Sequence, residues 1–285
     1  MNISIDDLRF ILLNVGYAVH DADWNWADVS SPFARIYLVT EGVAHVEIDG
    51  DRHRLEPGMM YMIPPSVKHT DFCNGHFEHH YIHVYEDPRS PVHLLEDWRY
   101  PLSISAGDGD RELFDRLSRL NPHMRLPHSA PSSYDDSRGL SASLRRNKDR
   151  TLHEQLESRG IVCQLLARFL AQAKPKEENG DRRIQRVIQH IRQNLNKPID
   201  LEELVKLSCM SKDHLIRTFR GQVGMTPMRY IIERKMELAR LLLTTDLMPV
   251  KSVAYATGYY DHSYFIRLFK KETGVTPMQY RINLK

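Results

Sequence analysis

The sequence predicts a two-domain chain: an N-terminal β-barrel with added helices, then an all-α C-terminal domain. Three observations carry this. Between residues 31 and 86, short β-branched and aromatic runs are broken by turn residues every 8–10 positions. Beyond residue 181, apolar residues fall at helical spacing. Charge also divides along the chain. Residues 181–285 hold 19 Lys and Arg against 10 Asp and Glu, and residues 1–180 hold 20 against 27, within a net charge of only +2. The domains fall at 1–173 and 182–285, joined by the polar linker "KPKEENGD" at 174–181.

The totals bound the function classes. A chain of 285 residues is long enough for two domains that each bury a core. With 41% hydrophobic and 27% charged residues it reads as soluble and globular. No apolar run reaches the roughly 18–20 residues of a membrane helix. The start, "MNISIDDLRF", is acidic where an export signal would be basic. Cys73, Cys163 and Cys209 are scattered without a C-x-x-C pair, which favours reduced thiols in a cytoplasmic protein. The basic C-terminal part leaves two readings open, a polyanionic partner such as nucleic acid or a solvated helical surface.

In the β region, "ARIYLVTEGVAHVEIDGDRHRLEPGMMYMIPPSVKH" is broken at Glu41-Gly42, Asp49-Gly50, Pro57-Gly58 and Pro64-Pro65. Asp49-Gly50 after an alternating run signals a hairpin. "HFEHHYIHVYE" adds another strand, and the whole suggests a small barrel or sandwich. After Asp87 the pattern turns helical. Leu113, Leu117 and Leu120 share one face of residues 110–120. Residues 121–150 are polar and read as loop with one helix. Residues 151–173 carry Leu152, Leu156, Val162, Leu165, Leu166, Phe169 and Leu170, apolar enough to pack on the barrel and on a partner subunit.

The C-terminal domain contains a duplication. "SKDHLIRTFRGQVGMTPMRY" (211–230) aligns with "DHSYFIRLFKKETGVTPMQY" (261–280) at an offset of 50, with 8 of 20 positions identical. In each copy a short helix (200–208; 250–257 behind Pro249) precedes a tight turn, and Ser211 or Asp261 caps a second helix. Leu215/Phe219 and Phe265/Phe269 lock that helix onto the first. Gly224 or Gly274 ends it, and Thr226-Pro227 or Thr276-Pro277 starts the next. Residues 227–243 form one helix joining the copies. Each copy is a helix-turn-helix, which turns the outer side of its second helix to the DNA major groove. Lys212, Asp213, Ile216, Arg217 and Arg220 occupy that side in copy one, and His262, Ser263, Ile266, Arg267 and Lys270 in copy two. Arg can bridge guanine O6 and N7, and an aliphatic tip can rest on a thymine methyl, although Ile216 and Ile266 also suit a core.

Residues 183–283 resemble the DNA-binding domain of the arabinose-regulator (AraC/XylS) family. The resemblance rests on "SKDHLIRTFR" with the Gly-x-Thr-Pro after it, and on "VAYATGYYDHSYFIRLFKKETGVTP". It implies a seven-helix domain whose two recognition helices enter successive major grooves about one turn (~34 Å) apart. By position it implies that Asp213, Ile216, Arg217, His262, Ser263, Arg267 and Lys270 contact double-stranded DNA. Asp213 and Ile216 depart from the polar or aromatic groups often found there.

"YLVTEGVAHVEIDGDRHRLEPGMMYMIPPSVKHT" then resembles the cupin-like effector domain of the same family. It implies a small-molecule effector, a homodimer and no cofactor. A sugar-like effector would suit the tryptophans Trp24 and Trp26, which precede the barrel. The barrel mouth is the default binding place. Alternation puts Arg35, Tyr37 and Val39 on one strand face and Tyr81, His83 and Tyr85 on another. Trp24, Arg35, Tyr37, His69, Tyr81 and His83 are the effector-binding candidates. The rival reading is a metal-dependent cupin enzyme, prompted by His45, His53, His69, His76, His79, His80 and His83. That class uses an H-x-H ligand pair, and the chain has none.

Overall fold

The computed structural model describes residues 4–90, 92–135, 137–176, 181–245 and 248–282. Two compact units account for them.

The first unit comprises Arg9–Asp87 and His93–Pro175. Its leading strands are β1 (Phe10–Asp21), β2 (Trp26–Val29), β3 (Ala34–Gly42), β4 (Ala44–Ile48), β5 (Asp51–Leu55), β6 (Met59–Ile63), β7 (His69–Phe72) and β8 (His76–Glu86). After them come α1 (Leu94–Asp97), β9 (Trp98–Arg99), β10 (Ser103–Ser105), α2 (Asp110–Leu120), α3 (Ser137–Lys148), α4 (Leu152–Leu170) and β11 (Lys174–Pro175). A five-stranded sheet runs β1-β8-β3-β6-β10, a four-stranded sheet β2-β7-β4-β5, and β11 pairs with β9. The expected hairpin joins β4 and β5 through Asp49 and Gly50, both at positive φ (54° and 87°).

One core, including Trp24, Tyr37, Val46, Tyr61, Phe77 and Tyr81, draws on both larger sheets. A second packs the other face of the five-stranded sheet, through Ile36, Leu38, Met62 and Val84, on Phe114, Leu117, Leu165 and Phe169 of α2 and α4. That sheet is therefore covered on both faces, so β3 is buried at every position from Ala34 to Val39.

The double cover explains a correction. The sequence reading begins the strands at residue 31, yet β1 pairs with β8 along its length, from Phe10↔Glu86 to Asp21↔His76. Being buried on both faces, β1 lacks alternation, and a register shift between Leu12 and Asn14 breaks its phase. Trp24 consequently lies between two strands, inside the core, and does not precede the sheet. Along α2 the buried face centres on Phe114 and Leu117, with Leu113 and Leu120 only partly covered. The polar stretch 121–150 contains α3. A Thr151–Glu154 capping box opens α4, which buries Ile161, Val162, Leu165, Leu166 and Phe169. Leu152 and Leu156 of the same helix stay 80% and 70% exposed.

The second unit comprises Lys176–Lys285 with Met1–Leu8 and Pro88–Val92. Its helices are α5 (Arg182–Gln193), α6 (Leu201–Ser208), α7 (Lys212–Val223), α8 (Pro227–Thr245), α9 (Val250–Ala256), α10 (His262–Thr273) and α11 (Pro277–Ile282). The expected caps form. Ser211 Oγ accepts from His214 N at 3.4 Å, Thr226 Oγ1 from Arg229 N at 3.3 Å, Asp261 Oδ1 from Tyr264 N at 3.0 Å and Thr276 Oγ1 from Gln279 N at 3.2 Å. Gly224 and Gly274 stop α7 and α10 at φ of 83° and 81°. Leu215, Phe219, Phe265 and Phe269 join Ile184, Val187, Ile191 and Leu242 in one core. On α8, Lys235 is buried, and its ammonium donates to Lys197 O at 2.6 Å and Gly258 O at 3.4 Å, 5.0 Å from the Tyr259 ring centre. Burial pulls its pKa down to about 8.

Candidate functional site

Among the described residues two places have the geometry of a site, one in each unit. The first is the outward side of α7 and α10. Leu215 and Phe219 of α7, and Phe265, Leu268 and Phe269 of α10, face the core. The opposite stripes are thereby left to solvent. Lys212, Asp213, Arg217 and Arg220 are exposed on α7, as are Ser263, Arg267 and Lys270 on α10. Ile216 and Ile266 are half-buried: part of each packs inward while a tip remains accessible. His262 is also half-covered, and its Nε2 has no hydrogen-bond partner among the described residues. Asp213, Ile216, Arg217, Arg220 and Gly221 line a shallow, open depression. Sequence reasoning missed Lys271, exposed one turn beyond Arg267 and signalled by the same spacing.

The second place is a cavity of about 130 Å³ in the sheet-rich unit. Register brings the predicted residues together, since Arg35 pairs with His83 and Tyr37 with Tyr81 across β3 and β8. Trp24, Tyr37, Tyr81 and His83 line the cavity with His20, His79, His128 and Tyr134. Burial pushes His79 and His83 well below the usual histidine value, so both rings are neutral at neutral pH. The Nδ1 of His79 is buried with no partner among the described residues. The Asn14 amide donates to His83 Nδ1 at 3.3 Å, while its oxygen accepts from Arg146 Nη2 and Ser143 Oγ at 3.1 Å each. That arrangement fixes the His83 proton on Nε2, the ring's remaining donor.

Two predicted residues do not line the cavity. Arg35, 2% exposed, donates to Tyr134 Oη at 2.8 Å and Ser31 Oγ at 2.7 Å, and pairs with Asp135 at 2.5 Å. His69 lies on β7, where Nδ1 is 3.0 Å from Val67 O, and burial lowers its pKa to about 4. Beside it Asp71 is buried with neither carboxylate oxygen hydrogen-bonded among the described residues, its Oδ1 lying 3.9 Å from His69 Nε2. Burial raises the Asp71 pKa to about 7. The sequence reading stopped at Tyr81 and His83, although one more step of alternation reaches His79. His20 and Asn14 were missed with β1, and Tyr134 sits in a polar stretch without periodicity.

The cavity histidines do not converge on a common point. Among the described residues, only Glu41, His76 and Glu78 bring metal-type donor atoms within 4.8 Å of one another, and Glu41 and His76 are exposed. Among the same residues no helix is long and apolar enough to cross a membrane.

Comparison with known proteins gives both places a context. Residues 12–122 match the AraC-like ligand binding domain family, and residues 204–283 match a helix-turn-helix domain family. The chain is 38% identical over 78 residues to the "XylDLEGF operon transcriptional activator 2" of Pseudomonas putida, covering 26% of this chain and 50% of that protein. It is 26% identical over 231 residues to the "Arabinose operon regulatory protein" of Salmonella typhimurium, covering 80% of this chain and 76% of that one. The chain spans half or less of the length of the Pseudomonas putida activators that it matches. Among solved structures, the C-terminal domain of the response regulator yesN from Fusobacterium nucleatum aligns at 28% identity and a TM-score of 0.34, over 35% of this chain and 99% of that one. The chain thus joins an AraC-like ligand binding domain to a helix-turn-helix domain, the two-domain arrangement of AraC/XylS regulators.

Proposed function

We propose that the chain is a sequence-specific, DNA-binding transcriptional regulator controlled by a small effector held in the sheet-rich unit. One observation carries this reading. The duplicated helices α7 and α10 expose an arginine at the same repeat position, Arg217 and Arg267, on faces that also carry Arg220 and Lys270. A solvated basic surface has no reason to repeat its arginine in register with a buried core stripe. Flanking cations hold phosphates, and the arginines reach base edges. The name of the Pseudomonas putida relative favours activation over repression.

The effector occupies the cavity lined by Trp24, Tyr37, His79, Tyr81 and His83. Its volume admits a molecule of sugar or single-ring size, recognised by hydroxyls and neutral imidazoles. It acts by binding the DNA-competent population with a different affinity. The working unit is a cytoplasmic homodimer in which a second copy covers Leu152 and Leu156 on α4, and no catalytic step or metal is needed.

The test is binding of the full chain to a selected duplex across a salt series. Affinity should fall by orders of magnitude between about 50 and 200 mM salt, and Arg217→Ala with Arg267→Ala should abolish sequence preference. Binding insensitive to both salt and these substitutions overturns the reading.

A further inference from the structure

We infer that Asp213 selects sequence for α7 by accepting a hydrogen bond from the N4 amino group of a cytosine, so the two copies read unequal half-sites. The inference rests on the DNA-binding reading above and adds a base and a residue to it.

Residues 213, 216, 217, 220 and 221 recur at the i, i+3, i+4, i+7, i+8 spacing of one helix face, and together they line the open depression on α7. The hollow follows from composition. Gly221 has open space where a side chain would project, whereas its counterpart 50 residues on is the exposed Lys271. The same face carries different charge in the two copies. On α7 it holds Asp213, Arg217 and Arg220, a net of one positive charge, and on α10 it holds Ser263, Arg267, Lys270 and Lys271, a net of three.

A carboxylate on a surface that approaches phosphates weakens binding to every sequence. Its presence is explained by what it can recognise. In the major groove, cytosine offers an N4 amino donor, and a carboxylate accepts from it. Asp213 is ready for that contact. It is exposed and has no hydrogen-bond or ion-pair partner among the described residues. Arg217, one turn further on, places Nη2 3.4 Å from His214 Nδ1 instead. The cap of α7 is already supplied by Ser211. Asp213 therefore adds only a favourable charge at the helix start. Ser263 holds the matching place on α10 without a charge. The α10 half-site is thus bound more by charge, and the α7 half-site more by base identity.

The experiment selects duplexes from a random pool with the full-length protein, its Asp213→Ser variant and its Asp213→Asn variant. The serine variant carries the residue of copy two at that place. Wild type should show a cytosine at one position of the α7 half-site. Asp213→Ser should lose that preference by about ten- to a hundred-fold, and bind non-specific duplex more tightly at low salt. The asparagine variant keeps the shape and should move the preference from cytosine to adenine. The α10 half-site should not change. Identical base preferences in all three proteins, with only the melting temperature altered, would overturn the inference and leave Asp213 as a helix-end residue. Wild-type protein that binds no duplex in a salt-dependent way would overturn the DNA-binding reading itself.

Discussion

Asp71 shows how single groups tie this chain's stability to pH. Burial raises its carboxyl from 3.8 to about 7, so the folded state holds a proton that the unfolded state has released. The contribution is fully present below pH 3.8 and is lost as pH rises towards 7. His79 and His83 act in the opposite sense. Their values are lowered by burial, so their contribution is present above 6.5 and lost as pH falls below it. Asp71→Asn removes the first effect alone. The substitution should stabilise the sheet-rich unit more at pH 8 than at pH 5, by roughly 3 kcal/mol between the two. Urea unfolding at both pH values measures this, and an equal gain at each would mean that Asp71 is ionised throughout. The orientation of His83 is a residue-scale device of the same unit, since Asn14 and Arg146 set its tautomer from outside the cavity lining.

The elements differ in how far the sequence announces them. Both ends of α7 and α10 and the starts of α8 and α11 are written locally, in Ser211, Gly224, Thr226, Asp261, Gly274 and Thr276, and each does in space what its position implies. Gly274→Ala should therefore destabilise the helical unit by about 1 kcal/mol, because φ of 81° strains any residue with a Cβ. A helical signal followed through urea unfolding tests this, and unchanged stability would show that the turn relaxes. β1 was illegible for the converse reason. Its burial is imposed by β8 on one edge and by layers on both faces, and none of these lies nearby in the sequence. The cavity was half legible. Alternation places Tyr37, Tyr81 and His83 correctly, but a period of two says only which face a residue shares, and Arg35 shares it while being consumed by Tyr134, Ser31 and Asp135. The long polar stretch that delivers Tyr134 and His128 to the cavity has no period to read.

At the scale of the molecule, the division of charge seen along the sequence follows the two units, a basic helical one and a mildly acidic sheet-rich one. Charge alone can hold DNA, but reading it twice demands a fixed phase between the readers. The buried ammonium of Lys235 supplies that constraint within the helical unit, linking the loop before copy one to the turn of copy two. The fit is tight at its far end, because a Cβ on Gly258 would lie 2.4 Å from Lys197 O and 2.5 Å from Lys235 Nζ. Two prongs set at one angle behave as a gauge, and a gauge measures the object as well as gripping it. Over- or underwound DNA presents its second groove at another angle, so affinity for one site should vary with the superhelical density of the plasmid that carries it. A topoisomer series read by footprinting would reveal this, and equal affinity across the series would mean that the prongs swivel. Replacing Lys235 by Met, which keeps the unbranched apolar stem and removes the ammonium, should flatten the dependence, and torsion in the chromosome would then no longer register in this protein's occupancy.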